Sequence, residues 1–264
     1  MHATSRDALA AVREQVAPES TAEVGTELFS VVTLLDSERG LRRTLADGST
    51  DPESRAGLVG RLFAGKVSDA TVEVLTVAVR QQWSSARDLV DSLELLGREA
   101  LLRAAERDGQ LDAVEDELFR LGRIVAASPS LERTLADRTA APGRRTTLVD
   151  RLLAGKVTET TSALVRQVVE RLREEPADAF DALSTLAARQ REQSVAHVRS
   201  AVELSQAQLE RLTRTLSTTY GRTVTVHVEV DRSLTGGLVV QVGDEVIDGS
   251  VAGRLDALRR RFAG

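Results

Sequence analysis

Two stretches of this chain coincide when one is slid ninety positions along the other, and a duplication of that kind constrains the fold more than any single motif. Glu27-Leu28-Phe29 returns as Glu117-Leu118-Phe119. Leu41-Arg42-Arg43-Thr44-Leu45-Ala46-Asp47 returns as Leu131-Glu132-Arg133-Thr134-Leu135-Ala136-Asp137, and Pro52 as Pro142. The run Leu58 to Val67 returns as Leu148 to Val157. With the offset widened by two, Arg6-Asp7-Ala8-Leu9 matches Arg98-Glu99-Ala100-Leu101. One structural unit is therefore built twice.

Each copy reads as about six helices. In the first, apolar residues recur at helical spacing in Ala8, Leu9, Val12 and Val16, then in Val24, Leu28, Val31, Val32 and Leu35. A short helix passes through Leu41 and Leu45. Asp51-Pro52 supplies an N-cap followed by proline at the first helical position, and Ser68 caps a fifth helix through Val72, Leu75, Ala78 and Val79. The sixth runs from about Ser85 into Leu101, where it becomes the first helix of the second copy, so the two copies share one continuous helix. Its charge-rich side, Arg98, Glu99, Arg103, Glu106 and Arg107, reads as solvated surface. The expected architecture is mostly α: two tandem six-helix bundles sharing a helix, over residues 1–94 and 95–192, followed by a small α/β domain over 193–264.

The third region changes period. Ser194 to Val202 is rich in β formers, and Thr223 to Val230 places valine at every even position, as a half-buried strand does. Between them an amphipathic helix from Ser205 to about Tyr220 carries Leu209, Leu212 and Leu216. A third strand follows Gly236-Gly237, Gly243-Asp244 turns the chain toward Val246 and Ile247, and a final helix from Ser250 carries Val251, Leu255, Leu258 and Phe262. Two or three strands with two helices are expected.

Chemistry is hard to place on this sequence. Absence of cysteine excludes disulfides, thiolate metal sites and a cysteine nucleophile. Aromatics are 3% of residues, so the cores must be Leu, Val and Ala. Nearly all basic residues are arginine, yet 40 acidic residues leave the net charge at -5, which argues against nucleic acid as a partner. No window has the roughly 18 uninterrupted apolar residues of a membrane span, and the N-terminus lacks a signal peptide's apolar core. A soluble, cytoplasmic chain without direct membrane insertion is expected. Gly60 to Val67 approaches a phosphate-binding loop, but Val67 stands where Ser or Thr is needed and the residues close a helix rather than open one. Gly65 and Gly155 read instead as left-handed C-caps, with Lys66 and Lys156 near the negative helix end. His197 and His227 could face each other across two strands, but catalytic zinc takes three protein ligands and no third is evident. No catalytic, cofactor-binding or metal-ligating residue is assigned, and no cofactor is expected. From the residues alone catalysis is not indicated, and a free-standing helical-repeat adaptor that grips regulatory partners is one reading of such a chain.

One stretch is more specific. Val230-Asp231, Leu234, Gly236-Gly237, a short strand, then Gly243-Asp244, Ile247-Asp248-Gly249-Ser250 and Arg254-Leu255 resemble the signature of the ATP synthase delta subunit, the family of the mitochondrial oligomycin sensitivity-conferring protein. Val198 to Ser205 is similar to the start of that family's C-terminal domain. The resemblance covers the chain from about Leu95. A second N-terminal copy is similar to the elongated delta subunits of actinobacteria, and Thr235 occupies a position commonly Ile. The resemblance implies a peripheral stator subunit at the cytoplasmic face of the cell membrane. Its helical domain would take the N-terminal helix of an alpha subunit between first and fifth helices, and its C-terminal domain would engage the end of the b-subunit stalk. Ala8, Leu9, Val12, Val74, Val77 and Ala78 line that groove in copy one; Leu101, Leu164 and Val168 do so in copy two. The sequence does not choose between them. The signature residues themselves read as fold residues.

Overall fold

The computed structural model describes residues 2–16, 21–137, 139, 142–193, 195–220, 224–231, 233–243 and 245–249. Among them the chain is mostly helical and falls into two compact units, Met1–Ala187 and Ala188–Gly264. The helices are α1 (Ala3–Val16), α2 (Ala22–Ser37), α3 (Arg39–Leu45), α4 (Pro52–Phe63), α5 (Asp69–Arg80), α6 (Ala86–Arg107), α7 (Leu111–Ala126), α8 (Pro129–Ala136), α9 (Pro142–Leu153), α10 (Glu159–Glu170), α11 (Pro176–Gln193) and α12 (Gln206–Tyr220). The ninety-residue offset carries through to these boundaries: α4 and α9, and α5 and α10, begin and end at equivalent positions.

Local chemistry explains where helices start. Asp51 accepts the Ser54 amide at 2.9 Å, with Pro52 at the first helical position. Thr21, Ser68, Ser85 and Thr158 cap α2, α5, α6 and α10 in the same way. Two hydrophobic clusters fill the helical unit. One gathers α1 to α5 with Leu89, Val90, Leu93 and Leu96 of α6; the other takes Leu101, Leu102 and Ala105 of the same helix with α7 to α11. The sixth helix thus feeds both clusters, as its sequence predicts, and extends six residues beyond Leu101.

Its charged side is only partly the solvated surface that the sequence suggests: Arg107 is exposed, whereas Arg98, Arg103 and Glu106 are half-buried. Glu94 and Glu99 are buried. Glu99 receives the Arg13 guanidinium, while Glu94 receives Arg98, Gln167 and Arg171. Where neighbours cover the middle of the helix its charges lose solvent and must be paired.

The second unit holds a four-stranded sheet, one strand more than expected. Its strands are β1 (Val195–Ser200), β2 (Thr225–Val230), β3 (Leu238–Val242) and β4 (Glu245–Asp248), in the order β2-β1-β3-β4. β1 and β2 are parallel, and α12 makes the crossover that a parallel pair requires. β3 and β4 are antiparallel to their neighbours. Ala196, Val198, Val240 and Val242 pack on Leu216 and Val224. The valine alternation in β2 is real, but burial follows it only at the start. Val224 is buried, whereas Val228 and Val230 are exposed, because β2 is an edge strand and only the Val224 and Val226 end packs in the cluster with α12. The expected helix from Ser250 lies outside the described residues.

Candidate functional site

α1 and α5 pack directly against each other, and the positions expected to line a partner's groove lie at that seam. Ala8, Leu9, Val12, Val74, Val77 and Ala78 are all buried in the first cluster. Leu101, Leu164 and Val168 are buried in the second. All nine are core residues of the unit itself, so any groove is formed by what lies above them. Ser5 donates to Asp88 and Arg13 pairs with Glu99, which turns that side of α1 toward α6. At 100° per residue, Thr4, Ala8 and Ala11 then fall along the opposite edge. Thr4 is exposed and Ala11 half-buried, as are Val72 and Thr76 on α5. Short side chains there leave room for a helix to approach closely.

The equivalent surface in copy two is built from larger side chains. Thr4 and Ala11 of α1 correspond to the buried Leu96 and half-buried Arg103 of α6, and Val72 and Thr76 to the half-buried Ser162 and exposed Arg166 of α10. On another side of the same helix, α2 crosses α6 so closely that a side chain at Gly25 would lie 2.8 Å from the Gly97 carbonyl oxygen.

Both copies brace the start of the fifth helix with an equivalent glutamate. The Glu27 carboxylate on α2 accepts the Ser68 amide at 2.9 Å, the Ser68 hydroxyl at 2.6 Å and the Thr71 hydroxyl at 2.6 Å. Glu117 does the same for the Thr158 amide and hydroxyl, each at 3.0 Å. Burial would raise the Glu27 carboxyl, but hydrogen bonds from Ser68 and Thr71 hold it below its ordinary value. The sequence shows Glu27 and Glu117 as equivalents but not their partners 41 residues away.

Between the copies lies an ionic network. Arg171 bonds Asp36, Asp91 and Glu94, and Arg173 bonds Asp91. Burial would raise the Asp91 carboxyl, but the hydrogen bond and charge of Arg173, with the charge of Arg171, hold it down.

The phosphate-loop look-alike is a helix terminus. α4 ends at Phe63, Gly65 turns with φ +73°, and the Lys66 amide bonds the Phe63 carbonyl at 2.9 Å. In copy two Gly155 has φ +68° and the Lys156 ammonium caps the Leu152 carbonyl at 3.0 Å. His197 and His227 are register partners on β1 and β2 with rings stacked 6.0 Å apart. Among the described residues no three His, Cys, Asp or Glu side chains are grouped to hold a metal. No described helix is long and apolar enough to cross a membrane.

The signature residues behave as parts of the fold. Asp231 accepts the Ser233 amide at 2.9 Å, Leu234 follows in that turn, and Gly236 and Gly237 enter β3 with positive φ. Gly243 turns β3 toward β4, where Ile247 and Asp248 pair with Val240 and Val239, and the Gly249 amide bonds the Leu238 carbonyl. Asp244, Ser250, Arg254 and Leu255 lie outside the described residues. The family model described as ATP synthase delta (OSCP) subunit matches residues 98–262. The chain belongs to that family.

Copy one lies outside the matched span but not outside its relatives. ATP synthase subunit delta of Rhodococcus opacus is 54% identical, covering 98% of both chains. Those of Nocardia farcinica and Corynebacterium glutamicum are 52% and 48% identical over all of this chain and all of theirs. Duplication is thus part of the full-length chain in these actinobacterial delta subunits. A chain of the Toxoplasma gondii mitochondrial ATP synthase hexamer also matches, at 18% identity and a TM-score of 0.32 over 63% of this chain and 95% of that one. As a delta subunit the chain is a structural, non-catalytic component of the ATP synthase stator stalk.

Proposed function

We propose that this delta subunit ties the F1 catalytic head to the b-subunit stalk of a bacterial F-type ATP synthase, at the cytoplasmic face of the membrane. The head would otherwise turn with the central shaft, and holding it still lets proton-driven rotation do chemical work. Slow dissociation and stiffness are what such a part needs. In this reading the helical unit comprises two tandem six-helix bundles sharing α6, with residues 1–94, 95–192 and 193–264 as the working domains of the chain. The helical unit receives the N-terminal helix of an alpha subunit, and the C-terminal unit engages the end of b.

The observation that carries the finer assignment is the asymmetry of the two grooves. Copy one keeps an open edge of short side chains beside α5, at Thr4 and Ala11, above the buried Ala8, Leu9, Val12, Val74, Val77 and Ala78. In copy two the bulkier Leu96 and Arg103 stand where copy one has Thr4 and Ala11, above Leu101, Leu164 and Val168. An amphipathic helix therefore docks on copy one, and copy two serves as the rigid extension. Titration calorimetry with a synthetic peptide of the cognate alpha N-terminus tests this. One peptide per chain, helical when bound and lost in Ala11→Trp, is expected; no binding, or two peptides per chain, rejects it.

A further inference from the structure

A cleft of about 350 Å³ opens on the helical unit where the two copies meet. That volume is at the lower end of small-molecule sites, about 300–1,000 Å³. Its lining is unlike that of a usual ligand pocket. Only Val90 and Leu172 are apolar, against Arg42, Arg87, Arg145, Arg171 and Arg173 with Asp36 and Glu170. Such walls suit a small, strongly hydrated anion and repel an apolar ligand.

Charge accounting separates structural arginines from those left over. Arg171 and Arg173 are committed to Asp36, Asp91 and Glu94. Arg42 gives one nitrogen to the Leu35 carbonyl at 3.1 Å and stands 3.6 Å from Asp36. Arg87 is largely exposed and only 3.8 Å from its nearest carboxylate, Asp91. Arg145 is buried, 8% exposed, and its Nε has no hydrogen-bond partner. A buried, unsatisfied guanidinium atom beside a polar cleft calls for an acceptor.

Duplication supplies an internal control. Arg145 is the copy-two equivalent of Arg55, which is also buried and also has an unpartnered Nε, but whose Nη1 donates to the Gln81 carbonyl at the end of α5, at 3.2 Å. The same arginine therefore caps a helix end in one copy and faces an open, basic cleft in the other.

We propose that this cleft binds a phosphate-type dianion, with Arg145 donating from the buried wall and Arg87 and Arg42 closing on it from the rim. Bound there, the anion would link α9 to α3 and α6 and so tighten the junction between copies. The full chain is titrated calorimetrically with orthophosphate, pyrophosphate and ADP, at ionic strength matched with sodium chloride. Saturable binding of at least one is expected, with a rise in thermal midpoint beyond that of the chloride control. Preference for the inorganic ions marks a free-phosphate site, and preference for ADP marks an organic phosphate. Arg145→Gln, checked for folding by circular dichroism, is expected to weaken binding at least tenfold. The exposed Arg87→Gln, which leaves the core intact, is expected to weaken it several-fold. Absence of saturable binding, midpoint shifts that chloride reproduces, or undiminished affinity in both variants overturns the proposal.

Discussion

At the scale of single residues, the most informative are the two glutamates that reach across the helical unit to start another helix. Glu27 satisfies an amide and two hydroxyls at the head of α5, groups that a helix terminus otherwise leaves to water. Replacing it with Gln removes a charged acceptor from a part-buried site. Hydrogen bonds to charged groups contribute about 1.5–3 kcal/mol, so Glu27→Gln is expected to lower stability by roughly that amount in urea denaturation. The pH dependence has a definite sign. The folded carboxyl sits below its ordinary value of 4.5, so its contribution is complete above that pH and is lost as pH falls through the lowered folded value. Stability of the wild type should therefore fall more steeply below about pH 4.5 than that of the Gln variant. Parallel acid denaturation curves would contradict the assignment.

At the scale of elements, helix positions were legible because cap, proline and apolar period agree at Asp51, Ser68 and Ser85. What the one-dimensional pattern could not convey is which neighbours surround a helix. Arg98 and Glu99 look like surface charges on a lone helix, and only the arrival of Arg13 and Gln167 from elsewhere in the chain makes them interior. Val228 and Val230 err in the other direction, since alternation marks a face but not what covers it. The groove positions lie on α1, α5, α6 and α10 inside the cores, where apolar spacing alone does not separate core from partner surface. The requirement for glycine at Gly25 and Gly97 is not legible in the sequence, because it arises from a partner helix. Alanine at either would ordinarily favour a helix by about 1 kcal/mol. Here the added carbon at position 97 would sit 2.7 Å from the Phe29 ring. Gly25→Ala, opposed by backbone as well as by Leu101, is expected to destabilise by about 1–3 kcal/mol, read from the chemical denaturation midpoint. A gain in stability would mean that α2 and α6 can separate freely.

At the scale of the helical unit, the two copies are held by charge as well as by apolar packing. Arg171 gathers Asp36, Asp91 and Glu94, and its own side chain is 12% exposed. The pair with Glu94 is sheltered on both sides and weakly screened by salt, and removing Arg171 takes a charge partner from that buried carboxylate. Arg171→Met is expected to cost about 3–5 kcal/mol, with the loss changing little between roughly 0.1 and 1 M sodium chloride. A small or strongly salt-dependent loss would place the network in solvent instead.

The overlap of two cores on α6 restricts how the chain can be divided. Leu93 and Leu96 belong to one cluster and Leu101 and Leu102, one turn later, to the other. The span matching the family model begins at residue 98, inside that helix. A fragment cut there would lose the segment that pairs Glu94 with Gln167 and would start on a frayed end. Limited proteolysis should accordingly spare this stretch, and recombinant pieces of the protein will be soluble only when α6 is kept whole.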